Sequence, residues 1–99
     1  QHVVVAVRED RVVGTLQLTI VPGLSRRGAT RSIIEGVRIH GDERGSGLGT
    51  QLIQWAVDES RRQKCQLVQL TSDVTREDAH RFYERLGFTA SHVGFKLAL

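Results

Sequence analysis

The chain has 99 residues, 39% apolar and 25% charged, which is the composition of one ordinary globular domain with a modest core. No apolar run reaches the ~20 residues of a membrane-spanning helix, and the single cysteine excludes an internal disulfide and a cysteine-rich metal site. The net charge of +3 suits anionic ligands. Scattered basic residues and only five aromatic residues disfavour a nucleic-acid surface.

The first forty residues predict a hairpin followed by a third strand. Residues 2–7 are β-branched and apolar, residues 12–21 alternate in polarity, and the short polar link between them favours a hairpin. Pro22 and Gly23 end the second strand. An exposed arginine-containing loop then leads to a third strand over residues 32–40.

The second half of the chain alternates helices and strands. Residues 48–62 carry apolar side chains at helical spacing, and residues 66–71 predict a fourth strand. The helical spacing returns over residues 75–86, with Gly87 as a stop. Residues 88–99 predict a final strand region, so the expected order is β-β-β-α-β-α-β in an α+β domain.

A glycine-rich stretch, Arg44-Gly45-Ser46-Gly47-Leu48-Gly49, joins the third strand to the first helix. Glycines at alternate positions let the backbone approach a ligand closely, and the first amides of a helix have no partner inside it. The stretch therefore favours a phosphate or pyrophosphate site. It lacks the lysine of a P-loop and the acidic partner of a dinucleotide-binding site. For the glycines alone, a tight turn without a ligand is an equally good interpretation.

Two motifs, in order and with a strand between them, resemble the GNAT superfamily of acyl-CoA-dependent N-acetyltransferases. The spacing Arg44-x-x-Gly47-x-Gly49, after a strand and before an amphipathic helix, resembles motif A of that superfamily. The stretch from Ala79 to Phe88, AHRFYERLGF, resembles its motif B, A-x-x-F-Y-x-x-x-G-F.

The resemblance covers residues 3–99 and implies the fold. We expect residues 1–99 to be a single GNAT-like acetyltransferase domain whose central mixed sheet is splayed at the CoA site. The first strand and the opening helices of the superfamily fold are missing from this domain, which is expected to be truncated at its N-terminus. Those elements help to shape the acceptor site in the superfamily.

The resemblance also implies which residues hold acetyl-CoA. The backbone of Val37, Arg38 and Ile39 bonds the pantetheine as an added strand would. Arg44 supplies positive charge to the pyrophosphate, and Arg76 stands where the family usually has a cofactor-binding Asn. The loop amides and the helix dipole converge on the two phosphates. The loop residues so assigned are Gly45, Ser46, Gly47, Leu48, Gly49 and Thr50.

The catalytic residues implied by the resemblance are Tyr83 and Glu35. Tyr83 matches a tyrosine near the cofactor sulfur, and a phenol of pKa ~10 can protonate a thiolate whose acid has a pKa of ~8.5. The alternative is a buried tyrosine packed beside Phe82. Glu35 is the predicted general base, because partial burial among apolar neighbours would make its carboxylate more basic. It can instead be structural or bind the amine, and Asp73 is the second candidate base.

We therefore expect a cytoplasmic N-acetyltransferase that moves the acetyl group of acetyl-CoA to a primary amine by direct attack in a ternary complex. The acceptor is a small-molecule or peptide amine, with no nucleic acid or membrane as partner, and a homodimer formed through the last strands is left open. No metal site is expected, because the four histidines lack ligand spacing. The alternative function is a non-catalytic CoA-binding sensor or scaffold.

Overall fold

The computed structural model describes residues 2–23, 30–41, 45, 47–72 and 77–99. Four strands and two helices follow one another in this part of the chain. They are β1 (His2–Arg8), β2 (Arg11–Val21), β3 (Arg31–Ile39), α1 (Leu48–Arg62), β4 (Leu67–Leu70) and α2 (Glu77–Arg85).

The strands form one open, mixed sheet in the order β1-β2-β3-β4. β1 pairs with β2 and β2 with β3 in antiparallel fashion, whereas β3 and β4 are parallel. The first hairpin turns through Glu9 and Asp10, whose φ angles of 51° and 62° are those of a type I′ turn. The parallel β3–β4 pair needs a crossover, which α1 provides. The predicted α+β class with a mixed sheet is confirmed.

The core lies between one face of the sheet and α1. Leu16 and Leu18 on β2 and Ile34 on β3 are almost fully buried, because residues two apart on a strand share a face and cross-strand neighbours align on it. Ile53 and Ala56 of α1 cover this face and are equally buried. The opposite face of the sheet carries the half-buried and exposed residues of the same strands.

The expected last strand is absent from the structure, in which residues 88–99 have no strand. The apolar residues of this segment alternate as in a strand, but Val93, Phe95 and Leu97 are 78, 94 and 85% exposed, and Leu99 is fully exposed. Alternation specifies which side chains share a face, whereas a strand forms only when a neighbouring edge accepts its backbone hydrogen bonds. The observed order is therefore β-β-β-α-β-α.

Candidate functional site

The sheet opens between β3 and β4. Their ladder begins at Arg31↔Leu67 and ends at Ile34↔Leu70, while the ladder between β3 and β2 continues to Ile39. The last five residues of β3 are thus held by β2 on one edge and are not paired with β4 on the other. Among the described residues, no strand pairs with residues 35–39 on this side, which we call the free edge of β3. Such an edge can bond an extended ligand through backbone amides.

A bulge in β3 accompanies this opening. Thr15 is opposite Arg38 and Gln17 is opposite Glu35, so one residue of β2 faces two residues of β3, Gly36 and Val37. Gly36 has a φ of +61°, which is why a glycine suits the bulge. The bulge shifts the alternation of β3 by one residue where the sheet opens.

Backbone direction at the end of β3 follows from one hydrogen bond. The amide of His40 donates to the carbonyl of Val13 at 2.8 Å, so His40 directs its N–H toward β2. Successive residues of a strand direct their N–H and C=O groups to opposite edges. Ile39 therefore presents its peptide groups to the free edge, where the resemblance to the GNAT superfamily implies a contact with pantetheine.

The glycine loop ends at the first turn of α1. Gly45 and Gly47 have φ angles of +83° and +86°, and a Cβ atom on either would meet none of the described atoms within 4 Å. The first helical hydrogen bond joins the amide of Gln51 to the carbonyl of Gly47 at 3.1 Å. The amides of residues 48–50 precede that bond, and the helix start has neither a side-chain cap nor an acidic residue in its first turn within the described structure. Its dipole and free donors favour an anion.

Gly49 has a packing role that the sequence analysis missed. A Cβ atom on Gly49 would lie 3.4 Å from Cζ of Phe82 and 3.9 Å from Cγ1 of Ile39. Both distances are ordinary van der Waals contacts, so α2 and the end of β3 pack closely against the first turn of α1 at Gly49. The available signal was a glycine inside a helix, where it costs about 1 kcal/mol relative to alanine.

Tyr83 is half-buried and packs against the core from α2. Its ring makes edge-to-face contacts with Phe82, at a centroid distance of 5.3 Å, and with Phe88, at 6.0 Å. Phe82 in turn contacts the start of α1 at Gly49. The structure thus brings the end of β3, the first turn of α1 and the ring of Tyr83 into one neighbourhood through Phe82.

The end of α2 explains the Gly-Phe of the second motif. The amide of Gly87 donates to the carbonyl of Glu84 at 3.0 Å, and the amide of Phe88 donates to the carbonyl of Tyr83 at 3.1 Å. These two bonds and the φ of +98° at Gly87 define a Schellman motif, which is commonly accompanied by an apolar contact across it. Here that contact is between the rings of Phe88 and Tyr83.

Glu35 is exposed, and the expected partial burial is wrong. It is adjacent to the buried Ile34 and opposite Gln17, so it lies on the face of the sheet that α1 does not cover. Arg38, opposite Thr15, is exposed on the same face. Val37 and Ile39 are half-buried against the core. The predicted residues that lie outside the described residues are Arg44, Ser46, Asp73 and Arg76.

Two further observations concern metal ions and membranes. Within the described ranges, no three His, Cys, Asp or Glu side chains converge as metal ligands. No helix in that part of the chain is long and apolar enough to cross a membrane.

Comparison with known proteins identifies the family. Residues 1–88 match the Acetyltransferase (GNAT) family. The chain belongs to this family. The match includes both glycine-containing motifs and ends at Phe88, the residue that closes the Schellman motif of α2.

Three relatives illustrate the similarity of this GNAT chain to known proteins. The aminoalkylphosphonate N-acetyltransferase of Salmonella typhimurium is 37% identical, over 99% of this chain and 63% of its own length. The glucosamine 6-phosphate N-acetyltransferase of Trypanosoma brucei is 38% identical, over 90% of this chain and 58% of its own length. Among solved structures, a transcriptional regulator from Bacillus halodurans C-125 is 47% identical, over 98% of this chain and 65% of its own, and its TM-score is 0.94. The chain thus spans about three fifths of the length of the two enzymes.

Proposed function

We propose that the chain holds acetyl-CoA and transfers its acetyl group to a primary amine. One observation carries the proposal: the free edge of β3 ends where α1 begins. A Cβ atom placed on Gly49, in the first turn of α1, would lie 3.9 Å from Cγ1 of Ile39. A strand edge for the amides of pantetheine therefore meets a helix start suited to pyrophosphate. Membership of the GNAT family supports this assignment.

The two parts of the proposed cofactor site do different work. Val37 and Ile39 bond the pantetheine through backbone groups at the free edge of β3, whereas Arg38, between them, directs its own peptide groups toward Thr15 of β2. The amides of residues 45–50 surround the pyrophosphate, while the side chains of Arg44 and Arg76 add positive charge. This arrangement fixes the thioester at the bulge of β3, because the strand edge and the helix start hold the two ends of one extended molecule.

In the proposed reaction, the nitrogen of a neutral amine attacks the thioester carbon. A C–N bond forms, the C–S bond breaks, and the electron pair of the broken bond remains on sulfur. Tyr83 donates its phenolic proton to this thiolate and regains a proton from water. The new amide loses the extra proton of its nitrogen to a base, so that the products are an N-acetyl amine and CoA.

Glu35 is the proposed base, acting through water. Most primary amines are protonated at pH 7 and must lose a proton before attack. Glu35 lies immediately before the bulge and is exposed, so water has access to its carboxylate. The exposed position supports transfer through a water molecule better than direct contact with the amine. Asp73 remains the second candidate.

We further propose that the acceptor is a small amine carrying a phosphonate or phosphate group. Two relatives at 37 and 38% identity are named for acceptors of that kind. Glu35 and Arg38 are both exposed on the face of the sheet away from α1, and they flank the bulge. The guanidinium of Arg38 matches the charge of the phosphoryl group, while the carboxylate of Glu35 faces the amine across the bridging water.

A second candidate function is CoA-dependent regulation without catalysis. The observation that favours it is the 47% identity and TM-score of 0.94 to a protein described as a transcriptional regulator. In that case the same cofactor site senses acetyl-CoA, and Tyr83 serves only to pack α2.

Turnover separates these functions. The protein is titrated with acetyl-CoA by calorimetry, and CoA release is then followed with a thiol reagent in the presence of 2-aminoethylphosphonate, glucosamine 6-phosphate, glucosamine or a short peptide. The proposal predicts binding and faster turnover of the two phosphorus-containing amines. Binding without turnover of any amine supports the sensor, equal turnover of glucosamine and its 6-phosphate contradicts the acceptor class, and no binding contradicts both functions.

A further inference from the structure

We infer that Phe82 and Phe88 are positioning residues whose rings hold the phenol of Tyr83 against the cofactor site. The inference rests on the proposed function, in which Tyr83 protonates the leaving thiolate. It assigns to the two flanking aromatic residues a role in the rate of that step rather than in cofactor binding.

Phe82 connects Tyr83 to the start of α1. Its ring meets that of Tyr83 at a centroid distance of 5.3 Å and an interplanar angle of 65°. Its Cζ atom is only 3.4 Å from where a Cβ of Gly49 would be. Phe82 therefore lies between the first turn of α1, where the proposed pyrophosphate site is, and the ring of Tyr83, and it packs against both.

Phe88 holds Tyr83 from the C-terminal end of α2. Its ring lies 6.0 Å from that of Tyr83 with an interplanar angle of 71°, and its amide donates to the Tyr83 carbonyl at 3.1 Å. The backbone bond fixes the position of Phe88 after the end of α2. Gly87 has a φ of +98°, a conformation that glycine adopts without steric cost and that this turn requires. Edge-to-face contacts stabilise a ring pair beyond the burial of its surface, so the two contacts together favour the Tyr83 rotamer that makes both.

A single rotamer matters because proton transfer requires the phenol within hydrogen-bond reach of the sulfur. α2 has nine residues, none of them fully buried, and a helical backbone leaves Tyr83 a choice between χ1 values of about 180° and −60°, so contacts with neighbouring rings are needed to select one. A misplacement of 1 Å can cost about 100-fold in rate. Loss of either ring should therefore lower kcat while the KM for acetyl-CoA stays nearly constant.

The test is a double-mutant cycle between Tyr83→Phe and Phe88→Leu. Leucine keeps an apolar side chain at the turn and leaves the backbone bond to Tyr83 in place. We expect Phe88→Leu to lower kcat about 10-fold to 100-fold, with a KM for acetyl-CoA within about twofold of the wild type. Phe88→Tyr restores the edge-to-face ring and most of kcat. The matched control is Trp55→Leu, which removes a ring that is 45% exposed on α1 and should leave kcat unchanged.

The effect of Phe88→Leu on kcat is compared between the wild-type protein and the Tyr83→Phe protein, which distinguishes positioning from a purely structural role. If Phe88 acts only through the phenol, Phe88→Leu has no further effect on kcat in a Tyr83→Phe protein. Two results overturn the inference but leave the role of Tyr83 intact. In the first, the kcat losses of the two substitutions multiply in the double variant. In the second, Phe88→Leu is as fast as the wild type while Tyr83→Phe is slow. A Tyr83→Phe enzyme as fast as the wild type overturns the acid itself, and the inference with it. Circular dichroism checks the fold of each variant, and Phe82→Leu repeats the cycle if Phe88→Leu does not fold.

Discussion

Gly47→Ala isolates the backbone requirement of the loop that opens α1. Gly47 has a φ of +86°, and a Cβ atom there would meet no heavy atom of the described residues within 4 Å. The substitution therefore adds no clash with that part of the chain, and its expected cost is that of holding an L-residue in the left-handed region, about 1–2 kcal/mol. For a domain of about 100 residues, this corresponds to a decrease in Tm of about 4–16 °C.

Two further variants calibrate this effect. Gly94 also has open space around its Cβ position and no positive φ, so Gly94→Ala should change stability by less than about 0.5 kcal/mol. Gly47→Asn should lie between the wild type and Gly47→Ala, because asparagine tolerates the left-handed region better than alanine does.

The assay is urea unfolding of the four proteins, followed by calorimetric titration of each with acetyl-CoA. A backbone that relaxes at residue 47 redirects the amides that follow it, so the affinity of Gly47→Ala for acetyl-CoA should fall about 10-fold, the equivalent of 1.4 kcal/mol. The reasoning is refuted if Gly47→Ala matches Gly94→Ala in both stability and affinity. A loss of stability with unchanged affinity would separate the helix start from the cofactor site.

Three further predictions concern stability and reactivity away from the cofactor site. Ser60→Ala should destabilise the fold by about 1–3 kcal/mol in urea unfolding, because the Oγ of Ser60 is buried and lies 2.7 Å from that of Ser32; a loss below about 0.5 kcal/mol would contradict this. Burial raises the pKa of the Cys65 thiol, although a hydrogen bond with Ser32 acts in the opposite direction. Iodoacetamide should therefore alkylate Cys65 at pH 8 more slowly than it alkylates glutathione. A faster reaction would contradict this, because it would show that the thiolate is accessible. Hydrogen bonds donated by Arg62, which has the larger effect, and by Gln63 lower the pKa of the Glu59 carboxyl from 4.5 to about 2. Because this folded-state pKa lies below the unfolded one, the stabilisation is present above pH 4.5 and is lost as the pH falls toward 2; the stability difference between the wild type and Glu59→Gln should shrink over that range, and a constant difference would refute the assignment.

Local patterns predict much of this fold because they act over a few residues. The helical spacing over residues 48–62 gives the observed bounds of α1, Leu48–Arg62, and Gly47 has the positive φ expected of such a loop. Gly87 ends α2 as expected, and the described part of this helix, Glu77–Arg85, lies within the predicted range of residues 75–86. In each case the determining interactions are backbone bonds between residues no more than five apart.

The errors arise where a distant part of the chain decides the outcome. Alternation over residues 93–99 indicates a strand, but the pairing edge that a strand requires is not encoded in that segment. Glu35 was expected to be partly buried because its sequence neighbours are apolar, yet the side of the sheet that α1 covers is a tertiary property. Gly49 was assigned to phosphate binding alone, since its contact with Phe82 joins residues more than thirty positions apart.

The most direct test of the account is an amide chemical-shift titration of the protein with acetyl-CoA. If the free edge of β3 and the start of α1 form the cofactor site, the amides of Ile39, Leu48, Gly49 and Thr50 should show the largest changes. The amides of β1, at the far edge of the sheet, should change little. Changes of equal size in β1, or no change at Ile39 and the first turn of α1 at saturating acetyl-CoA, would contradict the proposed site.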